Sequence, residues 1–314
     1  MKRSKTRKRK SKIGIFIALI VLFIVGNIGV NQFTFITPYT IESSKIPSAF
    51  HDYKIIQLTD VHSIRTDRAI NSMIHSIKEQ EPNLIVITGD LVDARYYSSE
   101  SSRFRQGEIK QVEEKTIQFV KELTEIADVY YIYGNHEIML LDDPENNSFK
   151  VAVQELGVKI INNQVETIRA GESEIHFVGI QDPSTLYKSK KYANVGNTHK
   201  ERIDYILEDI LVEVEDESFT ILLSHRPEYF DVYAAYPIDL ALTGHTHGGI
   251  IRIPGIGGLY ANPQGWFPKY SSGLYSTAAT QMIVGRGIVN TIIPIRIMNP
   301  PEIVSITLKN NGNP

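Results

Sequence analysis

Five short polar clusters interrupt the apolar runs of this chain. They are Asp60-Val61-His62, Gly89-Asp90, Gly134-Asn135-His136-Glu137, Ser224-His225 and Gly244-His245-Thr246-His247-Gly248-Gly249. Each is weak alone, because a single Asp or His after a strand is more often a helix cap or a satisfied surface group. Together they hold five of the nine histidines. Imidazoles and carboxylates that converge with no thiol describe a divalent transition-metal site. Asp60, His62, Asp90, Asn135, His225, His245 and His247 are seven candidate ligands, more than one ion needs. One shared carboxylate would give each of two ions four contacts. His136 is not needed as a ligand. It is placed to donate a proton to a leaving oxygen or to stabilise charge on a phosphoryl group.

Charge points to the substrate class. Two divalent ions, two carboxylates and a bridging hydroxide leave a pocket of about +1, suited to an anionic phosphate ester. The ions would lower the pKa of the bridging water, polarise the phosphoryl oxygens and stabilise in-line displacement.

The rest of the chain is an acidic globular body behind a basic end. With 314 residues, 42% hydrophobic and 22% charged, it has material for one large domain or two ordinary ones. Its net charge of −3 includes eight Lys or Arg in residues 1–12 and no acid there. Without those eight, 25 basic residues face 36 acidic ones, a net −11. Nucleic-acid binding needs clustered basic residues and is not expected of such a body. The chain has no cysteine, which excludes disulfides, thiolate zinc sites and thiol nucleophiles.

Ile13 to Val30 is eighteen residues long, uncharged, with Asn27 as its one strongly polar residue. At about 1.5 Å per residue it reaches roughly 27 Å, just enough for a bilayer core of about 30 Å. It is longer than a signal-peptide apolar region and has no convincing cleavage site, so retention as an anchor is the expectation. Eight basic residues precede it, whereas Asn31 to Tyr53 carries only Lys45. The positive-inside rule then places the N-terminus in the cytoplasm and the catalytic domain outside the cell membrane. The expected organisation is a basic N-terminus (1–12), a transmembrane anchor (13–30), a Pro- and Ser-bearing tether (31–52) and a catalytic domain (53–310).

Strand-like runs precede the clusters: Lys54–Thr59, Leu84–Thr88, Val129–Tyr133, Phe219–Leu223 and Leu240–Thr243, with Ile175–Ile180 a further run. Amphipathic stretches at Asp67–Gln80, Gly107–Ile126, Ser148–Leu156 and Glu201–Val214 read as helices between them. This alternation predicts an α/β fold with ligands gathered beyond the carboxyl ends of the strands. After Gly248 the chain turns to Gly, Pro and aromatic residues, which predict hairpins, then strands at Gln281–Val284 and Ile303–Leu308. Arg95 to Gln106 reads as a surface loop near the site.

The ordered set D-x-H, G-D, G-N-H-E, H and G-H-x-H-G-G resembles the calcineurin-like metallophosphoesterase superfamily from about Tyr53 to Leu308. The tail resembles its bacterial YkuE/YaeI-like branch, in Gly258-Leu259-Tyr260, Phe267-Pro268-Lys269-Tyr270, Gly273-Leu274-Tyr275, Ile283-Val284-Gly285-Arg286-Gly287 and Pro301-Glu302-Ile303. The resemblance implies a four-layer α/β/β/α sandwich of two mixed sheets. It implies Asp60, His62, Asp90 and His247 as ligands of one metal. Asp90, Asn135, His225 and His245 would hold the other, with Asp90 bridging and His136 catalytic. One departure matters: Ala94 stands where protein Ser/Thr phosphatases carry a phosphate-binding arginine, which argues against a phosphoprotein substrate.

Arg65, Arg226 and Arg286 lie near motifs and are weighed as phosphate contacts against simple solvent exposure. Trp266, Phe267 and Tyr270 can form an aromatic rim, touch a bilayer or pack a loop. His75 and His176 read as ordinary surface or core residues. The expected function is a membrane-anchored, dinuclear metal-dependent phosphohydrolase for monoesters or diesters, including lipid-linked or cell-wall phosphates. Mn, Fe, Zn and Co all fit its ligands. The alternative is a non-catalytic metal-binding scaffold on the same fold; such scaffolds typically lose ligands or the catalytic histidine, and this chain keeps all eight positions.

Overall fold

The computed structural model describes residues 15–312 except 17, 20, 65, 97–105, 142–146, 190, 213, 215–216 and 290–295. In chain order the strands are β1 (Phe35–Ser43), β2 (Lys54–Leu58), β3 (Leu84–Thr88), β4 (Asp128–Ile132), β5 (Lys159–Ile160), β6 (Gln164–Ala170), β7 (Ser173–Gly179), β8 (Thr220–Leu223) and β9 (Leu240–Thr243). Two short hairpins follow, β10 (Arg252–Ile253) with β11 (Gly257–Gly258) and β12 (Tyr260–Ala261) with β13 (Gly265–Trp266). The last strands are β14 (Gly273–Ser276), β15 (Gln281–Val284) and β16 (Glu302–Asn310). The helices are α1 (Asp67–Lys78), α2 (Gln106–Thr124), α3 (Ser148–Glu155), α4 (His199–Ile210) and α5 (Phe230–Tyr233).

These form two six-stranded sheets, ordered β1-β16-β2-β3-β4-β5 and β14-β15-β9-β8-β7-β6. Both are mixed: β2, β3 and β4 are parallel, β16 runs antiparallel to β2, and β14 and β6 are antiparallel edges. Burial on both faces explains why β3 (LIVIT) is apolar without alternation. One face of the first sheet packs on α1, α2 and α3, whose Ile70, Met73, Ile74, Ile77, Phe119 and Phe149 are buried. The other face meets the second sheet through Val86, Ile132, Phe177, Ile221, Leu242 and Ile283. The second sheet's outer face carries α4 and α5. Helix, sheet, sheet, helix: the four layers expected are present.

The sequence locates these helices well because local chemistry defines them. In α1 the buried positions recur at i, i+3, i+4 and i+7, and the Thr66 hydroxyl accepts from the Ala69 amide as N-cap. Thr198 and Glu201 form a reciprocal capping box on α4.

The expected tether is a correction. Phe35–Ser43 within it pairs in parallel register with β16 along its whole length and forms the edge of the first sheet. Ile41, Ile46 and Phe50 are buried in the core between the sheets. The strand hid because it is an edge strand with a mostly solvated alternation, where Pro38 is tolerated. The basic residues 1–12 and positions 13, 14, 17 and 20 of the apolar run lie outside the described residues. Residues 21–30 are helical. Among the described residues no helix is long and apolar enough to cross a membrane.

Phe50→Ala is therefore expected to cost about 3–5 kcal/mol in chemical denaturation, as for other buried aromatics. Ser48→Ala, two residues away and exposed, should stay within about 0.5 kcal/mol.

Candidate metal centre

The chain reaches the site through five strand ends. β2 delivers Asp60 and His62, β3 Asp90, β4 Asn135 and His136, β8 His225, and β9 His245 and His247. The two sheets are stitched together at this edge. Gln57 Nε2 donates to the Thr243 carbonyl at 2.8 Å, and His225 Nδ1 donates to the Thr88 carbonyl at 2.8 Å. Asp60, His62, Asp90, His245 and His247 all hold a positive φ, between 48° and 67°. Non-glycine residues rarely adopt that region, and such strain gathers where surrounding structure over-determines a functional geometry. Gly89, at φ +92°, has no room for a side chain: a Cβ would stand 2.6 Å from His225 Nδ1 and 2.7 Å from Gly134 Cα.

Seven of the eight expected residues fall into overlapping clusters of donor atoms. Asp60, His62 and His247 form one group, Asp90, His225 and His245 another, and His62, Asp90 and His136 a third between them. Asp60 Oδ2 is occupied by the His245 amide (2.9 Å) and the Thr59 hydroxyl (2.8 Å). Its Oδ1 is buried without a hydrogen bond, 3.5 Å from His247 Nε2 and 3.8 Å from His62 Nε2. Asp90 Oδ2 lies 3.3 Å from His225 Nε2 and 3.7 Å from His62 Nε2. Because His225 spends Nδ1–H on Thr88, its Nε2 faces inward, 3.1 Å from His245 Nδ1. Asn135 Oδ1 is also buried with no partner. It is held beside Asp90, whose Oδ1 accepts from the His136 amide at 2.8 Å.

Buried donors and acceptors are normally paired. The orphaned Asp60 oxygen beside the His62 and His247 nitrogens, and a second orphaned oxygen on Asn135, fit bound divalent cations.

Electrostatics separate the histidines. Burial holds His62, His245 and His247 below the usual imidazole pKa, keeping them neutral as ligands must be. His225 and His136 differ. Burial pushes both down, but the Asp90 charge and hydrogen bond raise His225 to about 10, with a proton it must lose to bind a cation. The Asp90 charge and the hydrogen bond to Asp93 raise His136 to about 9. Its Nδ1 lies 3.2 Å from the Ala94 amide and 3.6 Å from Asp93 Oδ1. The neutral ring accepts from Ala94; the protonated ring turns Nδ1–H toward Asp93. Either way Nε2–H remains free to donate.

Several residues that hold the site have no signal in sequence spacing. Glu137, fully buried, accepts from the amides of Asp90 (2.9 Å), Val92 (3.1 Å) and Gly134 (2.7 Å), tying the loops after β3 and β4 together. Only its place in the G-N-H-E motif hinted at it. Asp93 is bound by Arg95 through Nε and Nη2 as well as facing His136. Arg226 is not solvated: it forms a buried ion pair with Asp182 at 2.6 Å. Arg286 pairs with Glu302 at 2.8 Å. Arg65 and residues 97–105 of the expected loop lie outside the described residues. His75 is exposed on α1, and His176 bonds Thr167 within a strand pair, the ordinary roles expected. Tyr270 is buried against Phe230 and Tyr275, whereas Trp266 and Phe267 are exposed.

Glutamine at 137 offers one carbonyl oxygen to three amides, so Glu137→Gln should destabilise the fold by about 1–3 kcal/mol in thermal or denaturant unfolding. In chelator-treated protein, His136 should keep its proton through neutrality and titrate near pH 9 by NMR. Asp93→Asn should move that titration downward. A His136 titration near the ordinary imidazole value in the unsubstituted chain would contradict this account.

The family model for calcineurin-like phosphoesterase matches residues 53–249. The uncharacterized metallophosphoesterase YkuE of Bacillus subtilis is 31% identical over 279 residues, covering 88% of this chain and 86% of its own length. The phosphodiesterase YaeI of Escherichia coli is 24% identical over 258 residues, 82% of each chain. A bovine transmembrane protein with metallophosphoesterase domain is 26% identical over 97% of this chain and 64% of its own length. Among solved structures, a dimetal phosphatase from Danio rerio aligns with 77% of this chain and 89% of its own at 12% identity and a TM-score of 0.44. On the family match and the YkuE identity, this chain belongs to the calcineurin-like phosphoesterases, in their YkuE/YaeI-like branch, and is a metal-dependent phosphoric ester hydrolase.

Proposed function

We propose that this protein is a membrane-anchored phosphohydrolase with a dinuclear centre. Asp60, His62, Asp90 and His247 would hold one divalent ion, and Asp90, Asn135, His225 and His245 the other. The observation that carries this is the pair of Asp/His triads with Asp90 between them. Ions bound there would activate a water and neutralise phosphoryl oxygens. Mn, Fe, Zn and Co all suit the donors. His136 supplies the proton, since its Nε2–H stays available whichever partner Nδ1 takes. Asp93 and Ala94 orient the ring. Arg95, bound to Asp93, does not replace the arginine that Ser/Thr phosphatases carry one position earlier.

In this reading residues 1–12 are cytoplasmic, 13–30 span the membrane and the catalytic domain lies outside. The charge asymmetry around the apolar run supports it. An anchored enzyme meets phosphate esters held at the membrane, so lipid-linked or cell-wall phosphates are the favoured substrates. A diester preference is supported by the phosphodiesterase named in Escherichia coli.

The test uses the full chain loaded with Mn²⁺ and assayed on bis-p-nitrophenyl phosphate, p-nitrophenyl phosphate and a lipid pyrophosphate. Turnover is expected on at least one. His136→Ala should lower it by about 10²–10⁴-fold, the usual worth of a general acid, with metal content unchanged by elemental analysis. A fully loaded chain with no turnover on any of these would support the scaffold alternative. Loss of metal in His136→Ala would make that histidine a ligand.

A further inference from the structure

Among the described residues beyond residue 30, twelve large apolar side chains stand exposed, and six of them fall between Ile256 and Met298. Ile256, Trp266, Phe267 and Met298 are 66%, 69%, 59% and 49% exposed. Phe267 also holds a positive φ of 54°. Apolar residues scattered singly need no explanation, but a concentration of them marks a contact surface.

The hairpin lobe that bears Ile256, Tyr260, Trp266 and Phe267 is fastened to the metal-binding turn. The Leu259 amide donates to the Gly249 and Ile251 carbonyls, and the Phe267 amide to the Leu259 carbonyl at 2.8 Å. The Thr246 hydroxyl donates to the Ser271 carbonyl at 2.9 Å. The backbones of Gly249 and Gly258 touch so closely that a Cβ on Gly249 would lie 2.4 Å from Gly258 Cα.

The N-terminal helix is fastened to the same place. Asn27 and Asn31, one turn apart on one helix face, both donate through Nδ2 to the Arg296 carbonyl at 2.6 Å. Asn27 Oδ1 accepts from the Met298 amide at 2.9 Å. Asn299 follows, and its Nδ2 donates to the carbonyls of His247 (2.7 Å) and Ile250 (3.2 Å). The one strongly polar residue of the apolar run is thus spent on the loop that braces a metal-site histidine. Between that loop and the lobe lies an open cavity of about 410 Å³ lined by Arg252, residues 253–257 and Met298.

We propose that this lobe is an interfacial membrane-binding surface. Ile256, Trp266, Phe267 and Met298 enter the headgroup layer of the leaflet from which the N-terminal helix emerges, and this seats the metal centre at the bilayer surface. The proposal rests on the reading of residues 13–30 as an anchor. The occupant is the bilayer because the surface adjoins the C-terminal end of an apolar helix, and because an indole among aliphatic side chains suits the headgroup boundary. Arg252, whose Nη1 donates to the Gly248 carbonyl, gives the cavity one cation, suited to lipid phosphate.

Trp266 is the chain's single tryptophan, so tryptophan emission, excited beyond the tyrosine absorption, reports this lobe alone. The full chain is reconstituted into phosphatidylcholine–phosphatidylglycerol vesicles, with and without bromine on the acyl chains, and recovered by flotation. The expected result is a blue-shifted Trp266 emission that brominated lipid quenches. Replacing Ile256 and Met298 by Asp should reduce that quenching while the chain still floats. Flotation with an unquenched, water-like emission in the unsubstituted chain would overturn the interfacial lobe and leave the anchor standing. Failure to float would overturn the anchor, and the inference with it.

Discussion

Asp90 is a carboxylate with almost no access to water, and the site is organised around keeping it charged. Burial alone would raise its pKa; the charges of His225 and His136 hold it well below the ordinary carboxylate value. Its Oδ1 takes the His136 amide and its Oδ2 faces His225 and His62. A buried charge with incomplete compensation is costly, so each element that contributes a neighbour must arrive in register. That requirement explains why the residues after β2, β3, β4, β8 and β9 are defined so closely. They come from two different sheets, and a slip by one residue would turn a ligand to the other face.

The sandwich supplies the rigidity this needs. Strands buried on both sides cannot shift without opening one of the three cores. Five positive-φ residues at the site are tolerated because the strands behind them are fixed. Glu137 adds a local clamp. Burial and the nearby Asp90 charge raise its pKa, yet its oxygens take three amides from the two loops that carry Asp90 and Asn135. The Asp182–Arg226 pair does the corresponding work behind His225, where Arg226 follows in sequence and Asp182 comes from the end of β7.

The parts legible in the sequence were those written locally. Apolar runs ending in Asp, Asn or His predicted the central strands within about two residues, because doubly buried strands have a distinctive texture. Helix α4 begins near its expected start, where Thr198 and Glu201 form their capping box. The same runs end at the seven residues that the structure gathers into donor clusters. The parts that were not legible depend on partners far along the chain. β1 is a strand only because β16 lies beside it, 267 residues away. Arg226 looked exposed because nothing near it in sequence reveals Asp182. Asn299 carries no motif, yet it holds the carbonyls of His247 and Ile250.

Asn299 also shows why the chain's two ends belong to the site. His247 sits on a turn with three consecutive positive-φ residues after it, Gly248, Gly249 and Ile250, and such a turn cannot hold its shape by local bonds alone. It is braced by Asn299 from the C-terminal segment, by Arg252 through the Gly248 carbonyl at 3.1 Å, and by Leu259 through the Gly249 carbonyl. Arg296, three residues before Asn299, donates to the carbonyls of Asn299 and Arg286, while its own carbonyl receives Asn27 and Asn31. Among the described residues, a path from the apolar helix to a metal-site histidine therefore runs through Arg296, Met298 and Asn299. Asn27 is the one strongly polar residue of the apolar run, and its side chain is fully used, donating to the Arg296 carbonyl and accepting from the Met298 amide, so its burial against the domain carries little cost.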